Sequence, residues 1–268
     1  MILKKIIYKT KGMMLLLPVL LLNLFSGTEV NAQWVPKAGE GVLIIGPRVS
    51  YSSSFFDANG NRISSLNDGE FYKVEIGGYF SIGIGNGFGV FTGFSFADLS
   101  YTDNFVKEKS GGFSNPTIGI IKQFTDYPDI ITSASLTVTP PLNFPKNEKP
   151  ELGGEFWEFE TGGLIGKGYE KFYLTGQLYY RYKDNINKES QIKIIGGGGV
   201  SLSEKIDFFT GLEYVKSFNF TFNSLKYSGT LLYKFNKMFG LGLGSEYIIT
   251  GNNVGVGPSG SINLWYSF

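Results

Sequence analysis

Between residues 70 and 84 the chain reads EFYKVEIGGYFSIGI. Tyr72, Val74, Ile76, Gly78, Phe80 and Ile82 share one parity, while Lys73, Glu75, Tyr79 and Ser81 share the other. Successive side chains of an extended strand point to opposite faces, so from Tyr72 to Ile82 one face carries no charge and the other carries all of it. The pattern returns in about twelve runs: 41–54, 70–84, 88–98, 113–124, 129–140, 153–165, 171–182, 190–202, 206–217, 225–235, 238–250 and 256–268. Strands of globular proteins usually run to about five or six residues. Many of these run to ten or more, and a tilted strand needs about nine to eleven residues to cross a bilayer. Long strands with one charge-free face, repeated without a helical period between them, constrain the fold more than anything else in the chain.

Alternation alone does not say which face is outside, because a soluble sandwich alternates too, with its apolar face inward. Aromatic residues settle the direction: Tyr72, Tyr180, Tyr182, Tyr227, Tyr233, Phe235, Tyr247 and Tyr266 gather toward strand ends, as the interfacial girdles of a membrane barrel do. Charge points the same way, at 18% of residues against about a quarter in an average soluble chain. Lipid tolerates neither an unpaired sheet edge nor a charged outer face, so the reading is an all-β, up-and-down antiparallel transmembrane barrel of about twelve strands, apolar outside and polar within. A secreted soluble β-protein is the competing fold.

The N-terminus fits export. Lys4, Lys5, Lys9 and Lys11 form a basic stretch, residues 13–25 are apolar, and Val30-Asn31-Ala32 is a small-residue cleavage pattern. The expectation is a signal peptide over 1–32 and a barrel over 33–268, placed in the bacterial outer membrane. An uncleaved anchor is the alternative, although the apolar stretch is short for a span. Connections alternate between long and short, with long ones expected at 55–69, 99–112 and 140–151 and tight ones such as Gly85-Asn86-Gly87 opposite. In outer-membrane barrels the long loops are extracellular.

With the parity set, inward residues follow. Lys73, Glu75, Glu158, Glu160, Gln177, Arg181, Gln191, Lys193, Glu213, Lys226, Lys234 and Glu246 line the lumen, with the two signs balanced. Counting outward from the 218–224 connection sets Glu213 opposite Lys226, and Glu158 and Glu160 lie one strand from Arg181. The charges serve as cross-strand pairs, as a lining that contacts solute, or as both. Inward Tyr79, Phe91, Tyr173, Tyr179 and Phe209 either form a stacking path for an aromatic solute or fill the lumen.

Other patterns reduce to structure. Asp57, Asn59 and Asn61 alternate like the start of a calcium loop, but glycine falls at the fourth position and no glutamate at the twelfth, so turn chemistry is the simpler reading. The run Gly196–Gly199 has no following helix and no Lys-Ser/Thr ending, so it is no phosphate cradle. The chain contains no Cys and no His, which removes Ser-His and Cys-His catalysis and thiolate chemistry. No catalytic residue, cofactor or metal is expected, and a net charge of +1 gives no reason to expect nucleic acid.

The last eight residues, SINLWYSF, continue the alternation to the final position. Ile262, Leu264, Tyr266 and Phe268 are expected to face lipid, with Asn263 and, at the rim, Trp265 facing the lumen. This strand is expected to close the barrel against the first, near residues 42–54. Leu264, Tyr266 and Phe268 together read as a terminal signal for barrel-assembly machinery, reached with the help of periplasmic chaperones.

Three segments, GEGVLIIGPRVSYSSSFFDANGNR, FYKVEIGGYFSIGI and the closing LWYSF, resemble a family of bacterial outer-membrane transporter-like β-barrels associated with the meta-cleavage pathway of phenol degradation. The resemblance covers the first two strands and the last one, and the middle agrees in pattern only. It implies a barrel of about twelve strands that passes small, often apolar or aromatic compounds, and it transfers no site residues. The function expected is therefore an outer-membrane channel for passive passage of small molecules, apolar or aromatic ones among them. A barrel with a closed lumen that binds partners through its outer loops stands as the alternative.

Overall fold

The computed structural model describes residues 35–125, 130–142, 150, 156–184, 189–219 and 221–268. The expected signal peptide, most of the expected 140–151 loop and the first residues of the expected fifth and sixth strands lie outside them. The described chain is all β, apart from a single helical turn at Leu66–Asp68. Among the described residues sixteen strands form: β1 Gly41–Ser52, β2 Ser54–Phe56, β3 Arg62–Ser64, β4 Glu70–Gly85, β5 Phe88–Thr102, β6 Lys107–Phe113, β7 Thr117–Gln123, β8 Ile130–Thr139, β9 Glu158–Gly168, β10 Phe172–Lys183, β11 Gln191–Ser203, β12 Ile206–Ser217, β13 Asn223–Lys234, β14 Phe239–Asn252, β15 Val254–Val256 and β16 Pro258–Ser267.

Neighbours in sequence pair antiparallel around the wall, and β1 pairs with both β4 and β16, so the sheet closes on itself. β6 and β7 both pair with β5 and together make one wall strand, giving a closed barrel of twelve. Closure removes the free edges that lipid would penalise, save along β6, which pairs with β5 alone among the described residues.

The barrel is inside-out relative to a soluble protein. Its exposed residues include Ile76, Ile118, Leu136, Leu174, Leu178, Leu243 and Ile262, while several of its buried ones are hydroxylic: Ser81, Ser110, Ser133, Ser135 and Thr137. Exposed apolar groups on this scale are stable only against hydrocarbon.

Two strand boundaries differ from the sequence reading. The expected long loop at 99–112 is largely strand, because β5 runs to Thr102 and β6 starts at Lys107. Asp103 makes this possible: its Oδ1 accepts from the Phe105 and Val106 amides at 2.8 and 2.7 Å, closing a tight turn. The fourth wall strand is also interrupted, at Ser114-Asn115-Pro116. Proline has no N–H for the ladder, so the strand breaks there and restarts at Thr117.

The residues before β1 turn inward. Ala38 bridges to Gly83 in parallel, the Gly39 amide donates to the Gly83 carbonyl at 2.9 Å, and the Gly83 amide donates to the Glu40 carbonyl at 3.0 Å. Val35 is buried, and it lies next to Gly89 on the inner wall. Gly83 is required for this approach, since a Cβ there would sit 2.0 Å from the Pro36 carbonyl oxygen. The sequence reading had no signal for this strap, which has no period and too few residues to show one.

The last residue is tied down. Phe268 exchanges backbone hydrogen bonds with Gly41 at 2.9 and 3.1 Å, and its ring stacks on Phe80 and Tyr266 at 6.1 and 5.6 Å. β16 meets β1 from Val42↔Ser267 to Ser50↔Ser259, within the expected closing segment.

Candidate channel lumen

The pairing register places every inward candidate. Lys73 and Glu75 lie on β4, Glu158 and Glu160 on β9, and Gln177 and Arg181 on β10. Gln191 and Lys193 lie on β11, Glu213 on β12, Lys226 and Lys234 on β13, and Glu246 on β14. All share the parity of the buried Ser81, Ser135 and Thr137, opposite the exposed apolar set. The charges do not spread evenly along the barrel. Most gather in the half nearer the connections 53–69, 184–190 and 218–222, here called the loop end; the other is the turn end.

Two ladders make up this charged belt. On β9 to β11, Glu160 accepts from Lys193 at 2.7 Å and from Arg181 at 2.8 Å, while Glu158 sits 3.8 Å from Arg181 and 3.9 Å from Lys183. From β12 round to β4, Lys226 lies 3.1 Å from Glu213 and 3.7 Å from Glu246. Arg48 continues the ladder across the closing seam, with Nη2 3.3 Å from Glu246 and Nε 3.7 Å from Glu75, which also contacts Lys73. Arg48 reaches across β16 because Ser261 there is small. Both expected pairings, Glu213 with Lys226 and Arg181 with the β9 carboxylates, are therefore direct contacts.

The belt leaves the inner faces of β5, β7 and β8 uncharged. They present Ser95, Ala97, Leu99, Thr117, Ser133 and Ser135 instead. Gln177 faces the middle of the lumen, where it accepts a hydrogen bond from the Tyr179 hydroxyl at 2.8 Å. Tyr179 also takes the Lys193 ammonium over its ring at 4.4 Å, joining the belt to the aromatic layer below. Gln191 faces inward opposite Arg181 and Ser217.

Toward the turn end the lining becomes aromatic. Tyr173 meets Phe209 at 6.5 Å, and Phe209 stacks on Trp265 at 5.9 Å with their planes 13° apart. Trp265, on the inward side as its parity required, lies against Gly242, where a Cβ would sit 2.8 Å from its indole nitrogen, and its indole N–H is buried without a hydrogen-bond partner among the described residues. Tyr79 and Phe91 form a second pair at 6.2 Å. Tyr79, Tyr173, Phe209 and Trp265, with Ile44 and Leu232, line a cavity of about 690 Å³ that the Val35–Glu40 strap and Phe268 border. Lys234 sits at its rim, paired with Asp207 at 3.0 Å, and Asp207 also accepts from the Ser201 hydroxyl at 2.7 Å.

Arg48, Lys183 and Asp207 were missing from the sequence reading. Each lies on the inward parity of its strand: Lys183 and Asp207 stand two residues from the inward Arg181 and Phe209, so carrying the alternation further along β10 and β12 finds both, whereas no inward residue on β1 leads to Arg48.

Outside the wall, β2, β3 and β15 form a small sheet at the loop end. Arg62 fastens it, donating to the Tyr247 hydroxyl and the Ser54 hydroxyl at 3.0 Å each. Asp57 shapes the turn beside it: Oδ1 accepts from the Asn59 and Asn61 amides at 2.8 Å. These backbone donors, Asn61 foremost, hold the carboxyl below its ordinary value near 3.8. The segment that resembled a calcium loop uses its carboxylate on its own backbone.

No family model matches the chain, and no curated protein does. Solved structures do. The COG4313 outer membrane channel from Pseudomonas putida F1 superposes with a TM-score of 0.71 at 12% identity, over 90% of this chain and all of that one. The KdgM porin gives 0.56 at 10% identity over 84% of this chain and 99% of its own, and the NanC porin 0.55 at 9% over 83% and 98%. At such identities the likeness is one of fold: a twelve-stranded barrel of the kind built by outer-membrane channels.

Proposed function

We propose that this barrel is a passive channel of the bacterial outer membrane, with the loop end extracellular and the turn end periplasmic, for small solutes that carry an apolar or aromatic part. The observation that carries this reading is the aromatic vestibule: about 690 Å³ lined by Tyr79, Tyr173, Phe209 and Trp265 inside a barrel whose outer half is charged. Ligand cavities commonly span about 300–1,000 Å³ and are mainly apolar, with a few polar groups to orient the ligand. A water-filled pore for ions alone gains nothing from a stack of rings. The channels that share the fold support passage, and the resemblance to the phenol-degradation family supports an aromatic cargo.

In this mechanism the solute moves down its gradient. The belt excludes bare apolar surface yet admits a solute whose polar end trades water for the ion pairs. The vestibule then takes up the ring by stacking, each aromatic contact contributing about 0.5–1.5 kcal/mol. The Val35–Glu40 strap narrows the exit. The chain reaches its membrane through a signal peptide over residues 1–32 and assembles through its terminal strand, with Phe268 docked against Gly41.

Swelling of protein-loaded liposomes tests the function. Phenylalanine is expected to enter faster than leucine, which matches it in charge and nearly in size. Equal entry contradicts the aromatic reading. No entry of either, from protein that migrates as a folded barrel on an unboiled gel, favours the closed-lumen alternative.

A further inference from the structure

Arg48 stands apart from the tightly paired cations of the lumen. Lys193, Arg181, Lys226 and Lys234 each lie within 3.1 Å of a carboxylate oxygen. Contacts that short make compact dipoles, whose fields fade within a few ångströms of the wall. Arg48 is held between two carboxylates at 3.3 and 3.7 Å, through Nη2 and Nε, and no described residue partners its Nη1. Its side chain is 42% exposed, against 11% for Glu75 and 25% for Glu246. The two carboxylates therefore sit against the wall while the guanidinium stands in the passage.

What it stands in is a compartment of about 390 Å³ between the belt and the vestibule, reaching from Asn263 past Glu75 to Asn115 and Thr117, with Tyr79 on its turn-end side. A guanidinium with one edge open matches a carboxylate in shape and charge, and its fork holds the anion in a fixed orientation. The amide of Asn263 and the hydroxyl of Thr117 supply further donors, and Tyr79 supplies a ring face.

We propose that Arg48 makes this compartment a binding site for small organic carboxylates and thereby gives the channel its preference for anions. The assignment rests on the channel reading and names the polar end of its cargo: a carboxylate at Arg48, with the apolar part directed toward the vestibule. Glu75 and Glu246 keep the site weak, as passage requires, since an anion must leave as readily as it enters.

Single-channel recording in planar bilayers tests it, with the full barrel and three proteins: wild type, Arg48→Gln and Arg48→Lys. Wild type is expected to favour chloride over potassium and to be blocked by benzoate, with benzyl alcohol as the uncharged control. Arg48→Gln is expected to lower the chloride-to-potassium ratio about thirtyfold, since one unit charge about 4 Å from the passing ion in water-like surroundings is worth about fivefold for each ion and with opposite sign, and to abolish the benzoate block. Arg48→Lys keeps the charge and loses the fork, so the ion ratio should hold while the block weakens. A folded Arg48→Gln barrel with unchanged ratio and block overturns the assignment. If Arg48→Gln does not fold, undiminished block in Arg48→Lys overturns it. A wild-type barrel that passes no current overturns the channel reading and this assignment with it.

Discussion

The two halves of the lumen solve the same problem differently. At the loop end, charged residues face water and are held in place by one another, in ladders that run from Glu158 to Lys193 and from Glu213 to Lys73. At the turn end, rings face the passage and are held by stacking on one another and against small residues, as Trp265 is on Phe209 and against Gly242. Ion pairs fix a polar wall without filling the lumen. Rings fill it and leave a smooth apolar surface. A passage that needed only water would have little use for the second half, and one that needed only to be plugged would have little use for the first.

Substitutions in each half separate their roles. The largest effect is expected from Glu160→Gln. Glu160 is the shared acceptor of Lys193 and Arg181, its side chain is 13% exposed, and the change leaves two inward cations without their shared charge. Loss of a hydrogen-bonded charge costs about 1.5–3 kcal/mol, so the urea midpoint of unfolding from bilayers should fall clearly while the preference for phenylalanine over leucine persists. Phe209→Ala should do the reverse. It removes the central ring of the Tyr173–Phe209–Trp265 stack, and uptake of phenylalanine should fall to the level of leucine. The stability lost with its two ring contacts should be about 1–3 kcal/mol, spread over the turn end.

A smaller effect is expected for the pair Glu213 and Lys226. Lys226→Glu alone sets a third carboxylate between those of Glu213 and Glu246, and the double exchange with Glu213→Lys restores an opposite-charge pair across β12 and β13. The recovered coupling should be about 0.2–1 kcal/mol. Absence of coupling in the double-mutant cycle would show that these charges act singly. The smallest effect concerns the outer loops. Asp57 and Asp103 have carboxyls held below their ordinary values chiefly by the backbone amides of Asn61 and Phe105. A lowered folded value means stability that is present above pH about 3.8 and lost as pH falls through the folded value. The protection of the 57–61 and 103–106 turn amides from hydrogen exchange, relative to the free amide at the same pH, should therefore fall only at acid pH, with the wall unchanged.

The same contrast explains what was legible in the sequence. Parity alone assigned faces, because a strand has two and lipid admits no charge on one of them, so the inward positions of Lys73, Arg181, Glu213 and Tyr173 followed from a period of two. Pairing needed register as well, and only where a connection could be counted, at 218–224, did it give Glu213 opposite Lys226. Arg48 lay hidden because its partners sit on either side of the closing seam, one of them far along the chain at Glu246. The strap at Val35–Glu40 and the break at Pro116 carry no periodic signal at all, since each is set by a single close approach or a single missing donor.

Liposome swelling with phenylalanine and leucine, run side by side on wild type and Phe209→Ala, tests the central claim most directly. Wild type should admit phenylalanine faster, and the variant should admit both at the leucine rate. Equal rates in wild type, or a preference that survives in the variant, would contradict the division of the lumen into a charged entrance and an aromatic exit.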